Sequence, residues 1–291
     1  PPTRQSSSAA SDVYKRQDDE KMLYALYSEG WRAGGANRNR TPFTFFPQTY
    51  DPDLLKNFEI GAKTRWLDNK LQVNATVYAG QWENYQIEAL DPSFQPCDPG
   101  ETPDVDFCSQ PFQIMVANVG DAEQFGVELD VRAAPTDNLD LGVNIGYVNA
   151  ETSEEVVVTQ AVPKGTQLPN VPELKFNGFA QFTWPVFQGE SMFIRGQYSW
   201  QDESRNQLEE FPYEPGTSAS ATFIQPSYGV FDLKVGLNSD NWSLEAFANN
   251  VFDERAVLFD DPFFFDTFFG KRRVNTNRPR EFGVRFAYNW N

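Results

Sequence analysis

The last segment of the chain, PREFGVRFAYNWN (279–291), alternates strictly between two kinds of side chain. The even positions are apolar or aromatic, namely Phe282, Val284, Phe286, Tyr288 and Trp290. The odd positions are small, polar or charged, namely Glu281, Gly283, Arg285, Ala287 and Asn289. Because successive side chains of a strand point to opposite faces, this period of two predicts an extended strand with one apolar face and one polar face.

The same pattern recurs along the chain. Alternating runs at 125–132 and 139–147 flank the sequence PTDN (135–138), which predicts a β-hairpin. Further strands are predicted near 22–33, 57–67, 71–79, 171–184, 190–201, 231–237 and 242–247, so that ten are expected together with the final one. The chain is therefore expected to be all-β.

The connections between these strands alternate in length. Short turns are predicted at 68–69, 135–138, 185–189 and 238–241. Long loops are predicted at about 34–56, 89–112, 151–170, 202–226 and 253–278. In an up-and-down sheet all short turns then lie on one rim and all long loops on the other, which is typical of outer-membrane barrels with periplasmic turns and extracellular loops.

Two architectures fit alternating strands, a soluble β-sandwich and a transmembrane barrel. The barrel is favoured because the strands are about 10–13 residues long, against about 5–6 in soluble sheets. Charged residues occupy the polar face at Glu128, Asp130, Arg132, Lys175, Arg195 and Arg285, and aromatic residues mark strand ends at Tyr147, Trp184, Trp200, Trp242 and Trp290. No apolar run approaches the ~18–20 residues of a membrane helix.

Composition excludes several classes of function. Lys and Arg total 24 against 41 Asp and Glu, a net charge of −17, so nucleic acid is not an expected partner. The chain contains no His, which argues against zinc sites and His-based catalysis. We expect no enzyme activity, no metal site and no cofactor.

The first residues differ from the remainder. The sequence QSSSAASDVYKRQ (5–17) has no periodic apolar pattern and resembles translated adapter sequence at the ends of assembled genes. A natural disordered tail is the alternative. We therefore expect residues 1–17 to be non-native or disordered and residues 18–291 to form part of one barrel domain.

Five segments together resemble the successive strands of the C-terminal half of TonB-dependent receptors. They are YALYSEGWRAGGANRN (24–39), FEIGAKTRWLDNKLQVNATVYAGQWENYQ (58–86), ANVGDAEQFGVELDVRAAPTDNLDLGVNIGYVNAE (117–151), FANNVFDER (247–255) and NRPREFGVRFAYNW (277–290). The resemblance implies the last ten or so strands of an antiparallel, up-and-down, 22-stranded outer-membrane barrel. The N-terminal plug and the first strands would then be missing.

The resemblance also implies a function, namely energy-dependent uptake of a scarce substrate, most often a ferric siderophore, with haem, cobalamin and oligosaccharides as other family substrates. The implied partners are outer-membrane lipid, the substrate, and the TonB complex acting through the plug, and we expect a monomer. A passive porin-type channel is the alternative. A barrel lipase is a weaker one, because it needs a Ser–His pair.

Candidate binding residues lie in the predicted extracellular loops. Aromatic and cationic side chains suit an anionic or aromatic chelate, and they occur at Trp31, Arg38, Arg40, Phe263, Phe264, Phe265, Phe268, Phe269, Lys271, Arg272 and Arg273. Packing between loops or contact with the lipopolysaccharide boundary is the alternative role.

Two further features of these loops allow predictions. Cys97 and Cys108 share one loop outside the cytoplasm, which predicts a disulfide. The acidic pairs at 51–53 and 260–261 lack a calcium-binding loop and are expected to be solvated surface.

Overall fold

The structure is a computed structural model that describes residues 11–16, 20–37, 48–90, 114–157, 161–187, 189–208, 222–260 and 273–290. Its strands are β1 (Ser11–Arg16), β2 (Lys21–Arg32), β3 (Gly35–Ala36), β4 (Thr49–Tyr50), β5 (Asp53–Trp66), β6 (Leu71–Glu83), β7 (Gln86–Leu90), β8 (Ile114–Asn118), β9 (Ala122–Thr136), β10 (Leu139–Thr152), β11 (Val156–Val157), β12 (Ala161–Val162), β13 (Leu174–Phe187), β14 (Glu190–Gln201), β15 (Ser204–Arg205), β16 (Ile224–Gln225), β17 (Tyr228–Asn238), β18 (Trp242–Asn249), β19 (Val257–Asp260), β20 (Val274–Thr276) and β21 (Glu281–Tyr288). Within these ranges there is no helix that could span a membrane.

The long strands form one antiparallel sheet in the order β1-β2-β5-β6-β9-β10-β13-β14-β17-β18-β21. Each strand pairs with the next long strand along the chain, so the sheet is an up-and-down meander, as the alternating pattern predicts. All ten predicted strands are present. The sheet has an eleventh, because Ser11–Arg16 pairs with β2. Whether residues 1–17 are native stays a prediction, as do the 22-strand count and closure into a barrel.

The short turns and long connections lie on opposite rims, as predicted. The turn after β5 is tight because Leu67, Asp68 and Asn69 have φ angles of 55°, 54° and 66°. Asn and Asp tolerate this left-handed region better than most residues, which suits Asp68 and Asn69 to the turn.

Each of the five long connections contains a two-stranded ribbon among its described residues. The ribbons are β3–β4, β7–β8, β11–β12, β15–β16 and β19–β20. The sequence pattern predicts only loops in these segments. The ribbon strands have only two to five residues each, which is too short for a period of two to be recognised in the sequence. The described part of the long-connection rim thus contains paired backbone in every connection.

The outer face of the sheet carries an apolar band of constant height. From Phe58 to Trp66 on β5, and from Phe125 to Ala133 on β9, the band spans eight residue steps, about 26 Å at ~3.3 Å per residue. Phe58 is 62% exposed and Ile60 is 68% exposed. A solvent-facing sheet would not expose such side chains, whereas the height matches the ~25 Å apolar band of outer-membrane barrels.

A row of polar residues ends the apolar band toward the long-connection rim. Cross-strand pairing joins Glu29 to Lys56, Lys56 to Gln81, Gln81 to Glu123, and Glu123 to Glu151. We call these five residues the polar row. It marks the level at which the outer face changes from hydrocarbon to headgroup contact.

Aromatic rings cover glycines on the inner face. A Cβ atom on Gly126 would lie 2.2 Å from the Tyr78 ring, and one on Gly142 would lie 2.2 Å from the Phe179 ring. Only glycine permits so close an approach, so these pairs fix neighbouring strands against each other and occupy space that a side chain would otherwise fill.

The turn after β18 is held by the side chain of Asn250, which is 3% exposed. Its Nδ2 donates to the carbonyl oxygens of Glu254 at 2.9 Å and Arg278 at 3.0 Å, and its Oδ1 accepts from the Glu254 N–H at 2.8 Å. The backbone N–H of Asn250 donates to Asp232 Oδ1 at 2.8 Å. Asn250 therefore links the end of β18 to the segment that leads into β21.

Asp253 makes a second link across the same connection. Its Oδ1 accepts from the backbone N–H of Arg280 at 2.9 Å, and its Oδ2 accepts from Arg255 Nη2 at 3.1 Å. These hydrogen bonds, first that from Arg280 and then that from Arg255, hold the pKa of the Asp253 carboxyl below its usual value.

Candidate functional site

The inner face of the sheet is polar, as the alternation predicts. The register places the predicted interior charges Glu128, Asp130, Arg132, Lys175, Arg195 and Arg285 on the face opposite the apolar band. Arg195 lies over the Phe179 ring, with 3.7 Å between the guanidinium carbon and the ring centroid. The inner face thus presents charges and aromatic rings, which suits contact with water, polar ligands or a polypeptide surface.

A pocket of about 340 Å³ opens on the inner wall, and several charged and amide side chains line it. Gly146 is the cross-strand partner of both Glu128 and Lys175, and a Cβ on Gly146 would meet nothing within 4 Å. The pocket is lined by Asn74, Thr76, Glu128, Leu129, Asp130, Asn144, Ile145, Gly146, Lys175, Phe176 and Asn177. Its charges of both signs and its amide groups can bind a polar partner through hydrogen bonds.

At the long-connection rim, Arg32 is held by a buried carboxylate. Asp53, which is 1% exposed, accepts hydrogen bonds from Arg32 Nε at 2.8 Å and from the Arg32 backbone N–H at 3.1 Å. Arg32 Nη2 also contacts the carboxylate and donates to the Gln86 carbonyl oxygen at 3.0 Å. The Gln86 N–H donates to Asp53 Oδ2 at 3.2 Å. Three chain segments therefore fix the position of this guanidinium.

Two aromatic rings flank the same guanidinium. Its carbon lies 4.9 Å from the Trp82 ring centroid and 5.5 Å from that of Tyr85, and the two rings meet edge to face at 4.8 Å. Burial raises the pKa of the Tyr85 hydroxyl. The Arg32 side chain remains 48% exposed, so a positioned cation beside aromatic rings faces accessible space. We call Arg32, Asp53, Trp82, Tyr85 and Gln86 the Arg32 cluster.

The Arg32 cluster adjoins an apolar core formed by the long connections. Met115 is 1% exposed, and Trp82 and Tyr85 pack against the core. Its buried members are Met115, Ala117, Val119, Ala122, Ala150, Val156, Val162, Leu168 and Leu208. Because Ala122 and Ala150 lie on the inner face of the sheet, the connections pack against the inner wall at this rim.

The structure describes only two of the predicted binding residues. Trp31 lies beside Arg32 in sequence but on the outer face, beyond the polar row, and it is 56% exposed. Arg273 is exposed and directly precedes β20. The others, Arg38, Arg40, Phe263, Phe264, Phe265, Phe268, Phe269, Lys271 and Arg272, lie outside the described residues, as do Cys97 and Cys108.

The expectation that the acidic pairs at 51–53 and 260–261 are solvated surface is wrong for two of their residues. Asp53 and Asp260 were expected to be solvated, but they are 1% and 0% exposed. Asp53 is buried because Arg32 and Gln86 satisfy its oxygens, and these partners come from other strands and segments. Arg32 was missed for the same reason. The sequence feature that could have identified Arg32 is its even position in β2, because the even positions of this strand face inward.

Comparison with known proteins identifies a family and several relatives of this chain. The model of a family described as TonB dependent receptor-like, beta-barrel, matches residues 4–251. A probable TonB-dependent siderophore receptor, PiuA of Acinetobacter baumannii, is 26% identical over 133 residues, which are 43% of this chain and 15% of that receptor.

Solved structures show the same fold. The ferric yersiniabactin uptake receptor FyuA of Yersinia pestis superposes with a TM-score of 0.67 at 14% identity, covering 96% of this chain and 36% of that receptor. The siderophore receptor PiuA of Acinetobacter baumannii gives a TM-score of 0.62 at 18% identity, covering 96% and 35%. The chain therefore spans about a third of the length of these receptors.

Proposed function

Because this chain belongs to the family of TonB-dependent receptor-like β-barrels, we propose that it is part of an outer-membrane receptor that imports a ferric siderophore. The chain lies in the outer membrane and crosses it with several strands. The observation that carries the proposal is the family match over 4–251, together with a sequence relative named as a siderophore receptor.

The orientation of the sheet in the membrane is assigned from the lengths of the connections on its two rims. We assign the short turns to the periplasm and the long connections to the cell surface, in keeping with the usual arrangement in outer-membrane barrels. The Arg32 cluster then faces the outside of the cell. A guanidinium held between a buried carboxylate and two aromatic rings suits an anionic chelate with a planar aromatic group.

Other parts of the proposal rest on the resemblance alone. A plug domain that contacts TonB would belong to the rest of the receptor, and the receptor would act as a monomer. Arg38, Arg40, the Phe residues of 263–269, and the cations of 271–273 remain proposed ligand contacts, with Trp31 at the outer boundary. Cys97 and Cys108 are proposed to form a disulfide within their loop.

The relatives reported above are transport receptors and not enzymes. The passive-porin alternative receives no support from them. A porin would conduct without energy coupling, and this difference provides the test.

The test measures uptake of radioactive iron by cells that lack their own siderophore receptors and express the complete receptor containing this chain. A panel of ferric chelates should identify at least one that enters only when TonB is functional. Equal uptake with and without TonB would support the porin instead. Failure of every ferric chelate would contradict the proposed substrate class.

The Arg32 cluster is tested in the same cells with de-energised membranes, so that binding is measured without transport. Arg32→Gln should weaken binding of an anionic chelate about tenfold, as expected for losing one charge-assisted contact of ~1.5 kcal/mol. Lys63→Gln, on the inner face of the neighbouring strand toward the opposite rim, is the matched control and should leave binding unchanged. Equal effects of the two substitutions would remove Arg32 from the site.

A further inference from the structure

The inner face carries a second group of cations, in the half of the sheet nearest the short turns. Arg195 and Lys234 are direct cross-strand partners, and Arg285 lies two strands beyond Lys234. Each lies three to five residues from the end of its strand at the short-turn rim. The three cations therefore occupy one region of the inner wall, on the same face as Arg32 but toward the opposite rim.

Aromatic rings lie beside this cation pair. The guanidinium carbon of Arg195 is 3.7 Å from the Phe179 ring centroid, and Arg195 Nη2 donates to Gln197 Oε1 at 3.4 Å. Phe247 is the cross-strand partner of Lys234 on the side away from Arg195. Arg195 is thus held in position, and Lys234 lies between a guanidinium and a ring. We call Arg195, Lys234, Arg285, Phe179 and Phe247 the Arg195 patch.

One carboxylate lies next to the Arg195 patch, and it serves two cations. Glu245 Oε1 is 3.7 Å from Lys234 Nζ, which is an ion-pair separation but too long for a hydrogen bond. Glu245 is also the cross-strand partner of Arg285. Among the described residues, Lys234 donates no hydrogen bond, and its side chain is 36% exposed. The ammonium donors of Lys234 are therefore available to a ligand.

The next carboxylates are engaged or farther away. Asp232, two positions from Lys234 on the same face, already accepts a backbone N–H of the turn after β18 at 2.8 Å. Asp140 lies two strands from Arg195, about 9.6 Å at ~4.8 Å per strand spacing. Arg195 and Lys234 are like charges directly opposite each other, which is destabilising on a sheet. An anionic group between them removes this repulsion.

We propose that the Arg195 patch is a second binding site for the anionic chelate on its way to the periplasm. This inference rests on the proposed function, because it concerns the substrate of the same receptor. The Arg195 patch has the chemistry of the Arg32 cluster, a positioned guanidinium beside aromatic rings, near the opposite rim. The rings favour a ligand with aromatic groups over a simple carboxylate.

The position of the patch suits a site that is occupied in transit. An imported anion passes from the long-connection rim to the short-turn rim, and cations along its path raise its local concentration. Lys234 and Arg285 remain accessible to water, so their contacts with an anion are weak enough to allow release.

The first test counts the bound ligand on the complete receptor purified in detergent, where both rims are open to solvent. The probe is a ferric tris-catecholate, an anionic complex with aromatic rings, which is labelled with radioactive iron and measured by equilibrium dialysis. The double variant Arg195→Gln, Lys234→Gln should bind one complex fewer than the wild type. Arg32→Gln should keep this complex, and so should the charge-conserving double variant Arg195→Lys, Lys234→Arg. Equal binding by the wild type and the Gln double variant would overturn the proposal.

Two controls separate charge from position. Lys63→Gln with Arg132→Gln removes two inner-face cations near the same rim, on strands that β6 separates, and should leave the count unchanged. A neutral ferric trihydroxamate should bind equally to the wild type and to the Gln double variant. Equal loss of both probes in that variant would show that the cations support the structure of the receptor and do not bind an anion.

The second test measures transport in the cells used to test the proposed function. The Gln double variant should slow TonB-dependent uptake of the tris-catecholate about fivefold, the size of one exposed charge contact. An unchanged rate of uptake would remove the Arg195 patch from the import path. If no ferric chelate enters at all, the proposed function fails, whereas the dialysis result still decides whether the patch binds an anion.

Discussion

Asn250 offers the sharpest test of how the sheet is held at its long-connection rim. Replacing it with Ala removes three side-chain hydrogen bonds, two to carbonyl oxygens and one from the Glu254 N–H. At about 1 kcal/mol each, these amount to ~3 kcal/mol. Asn250 also has a φ of 51°, a conformation that costs Ala about 1 kcal/mol. We expect Asn250→Ala to lower the free energy of unfolding by about 4 kcal/mol.

Two further substitutions separate these contributions. Asn250→Gly removes the same hydrogen bonds but adopts the positive φ freely, so it should cost about 1 kcal/mol less than Ala. Asn250→Asp keeps the acceptor for the Glu254 N–H but directs a carboxylate at two carbonyl oxygens. It should therefore be no more stable than the Gly variant.

The measurement is urea unfolding of the complete receptor in lipid vesicles, followed by tryptophan fluorescence and by the shift in gel mobility on heating. Asn241→Ala, in the exposed short turn before β18, is the control and should change stability by less than about 0.5 kcal/mol. An Asn250→Ala variant within about 1 kcal/mol of the wild type would refute the reasoning, because the hydrogen bonds would then not bear on stability.

Three other predictions follow from the rims and their connections. Cysteine introduced at Lys164, in a long connection, should react with an impermeant thiol reagent on intact cells, and cysteine at Asp137, in a short turn, should not; the reverse result would invert the topology. An unreduced digest of the receptor should contain linked peptides of Cys97 and Cys108, and two free thiols would contradict the disulfide. Because the folded pKa of Asp253 is depressed, the stability that it contributes is present above its unfolded pKa, near 3.8, and is lost as pH falls through its folded value. Asp253→Asn should therefore weaken this acid dependence in unfolding measurements below pH ~4, and an unchanged pH profile would count against the assignment.

The long strands were predictable because each one carries its own evidence. The alternation at 125–132 and 139–147 requires no knowledge of any other strand, and β9 and β10 lie where it predicts them. The same holds for β21, whose apolar side chains Phe282 and Val284 are 74% and 72% exposed on the outer face. An alternation of apolar and polar residues over eight or more positions predicts a strand without any knowledge of its tertiary contacts.

The candidate site was harder to predict from the sequence than the strands were, because its residues contact each other only through the pairing of different strands. Arg32 and Asp53 are direct cross-strand partners, but 21 positions separate them in sequence. In the sequence, a carboxylate that will be buried by such partners cannot be told from a surface acid, so the burial of Asp53 depends on a register that the sequence pattern does not give. Trp31 lies near the end of β2, where its odd position places it on the outer face and the even position of its neighbour Arg32 places that residue on the inner face.

The constant height of the apolar band limits how this chain can change in length. Deleting one residue within β5 or β9 would exchange the lipid-facing and inward-facing side chains from that point to the rim, exposing charges to hydrocarbon. Deleting two residues would preserve the faces but shorten the strand by about 6.6 Å at ~3.3 Å per residue. Insertions and deletions should therefore be rare and paired within the band, and frequent in the ribbons above it. Homologous sequences aligned on the polar row should show that contrast directly.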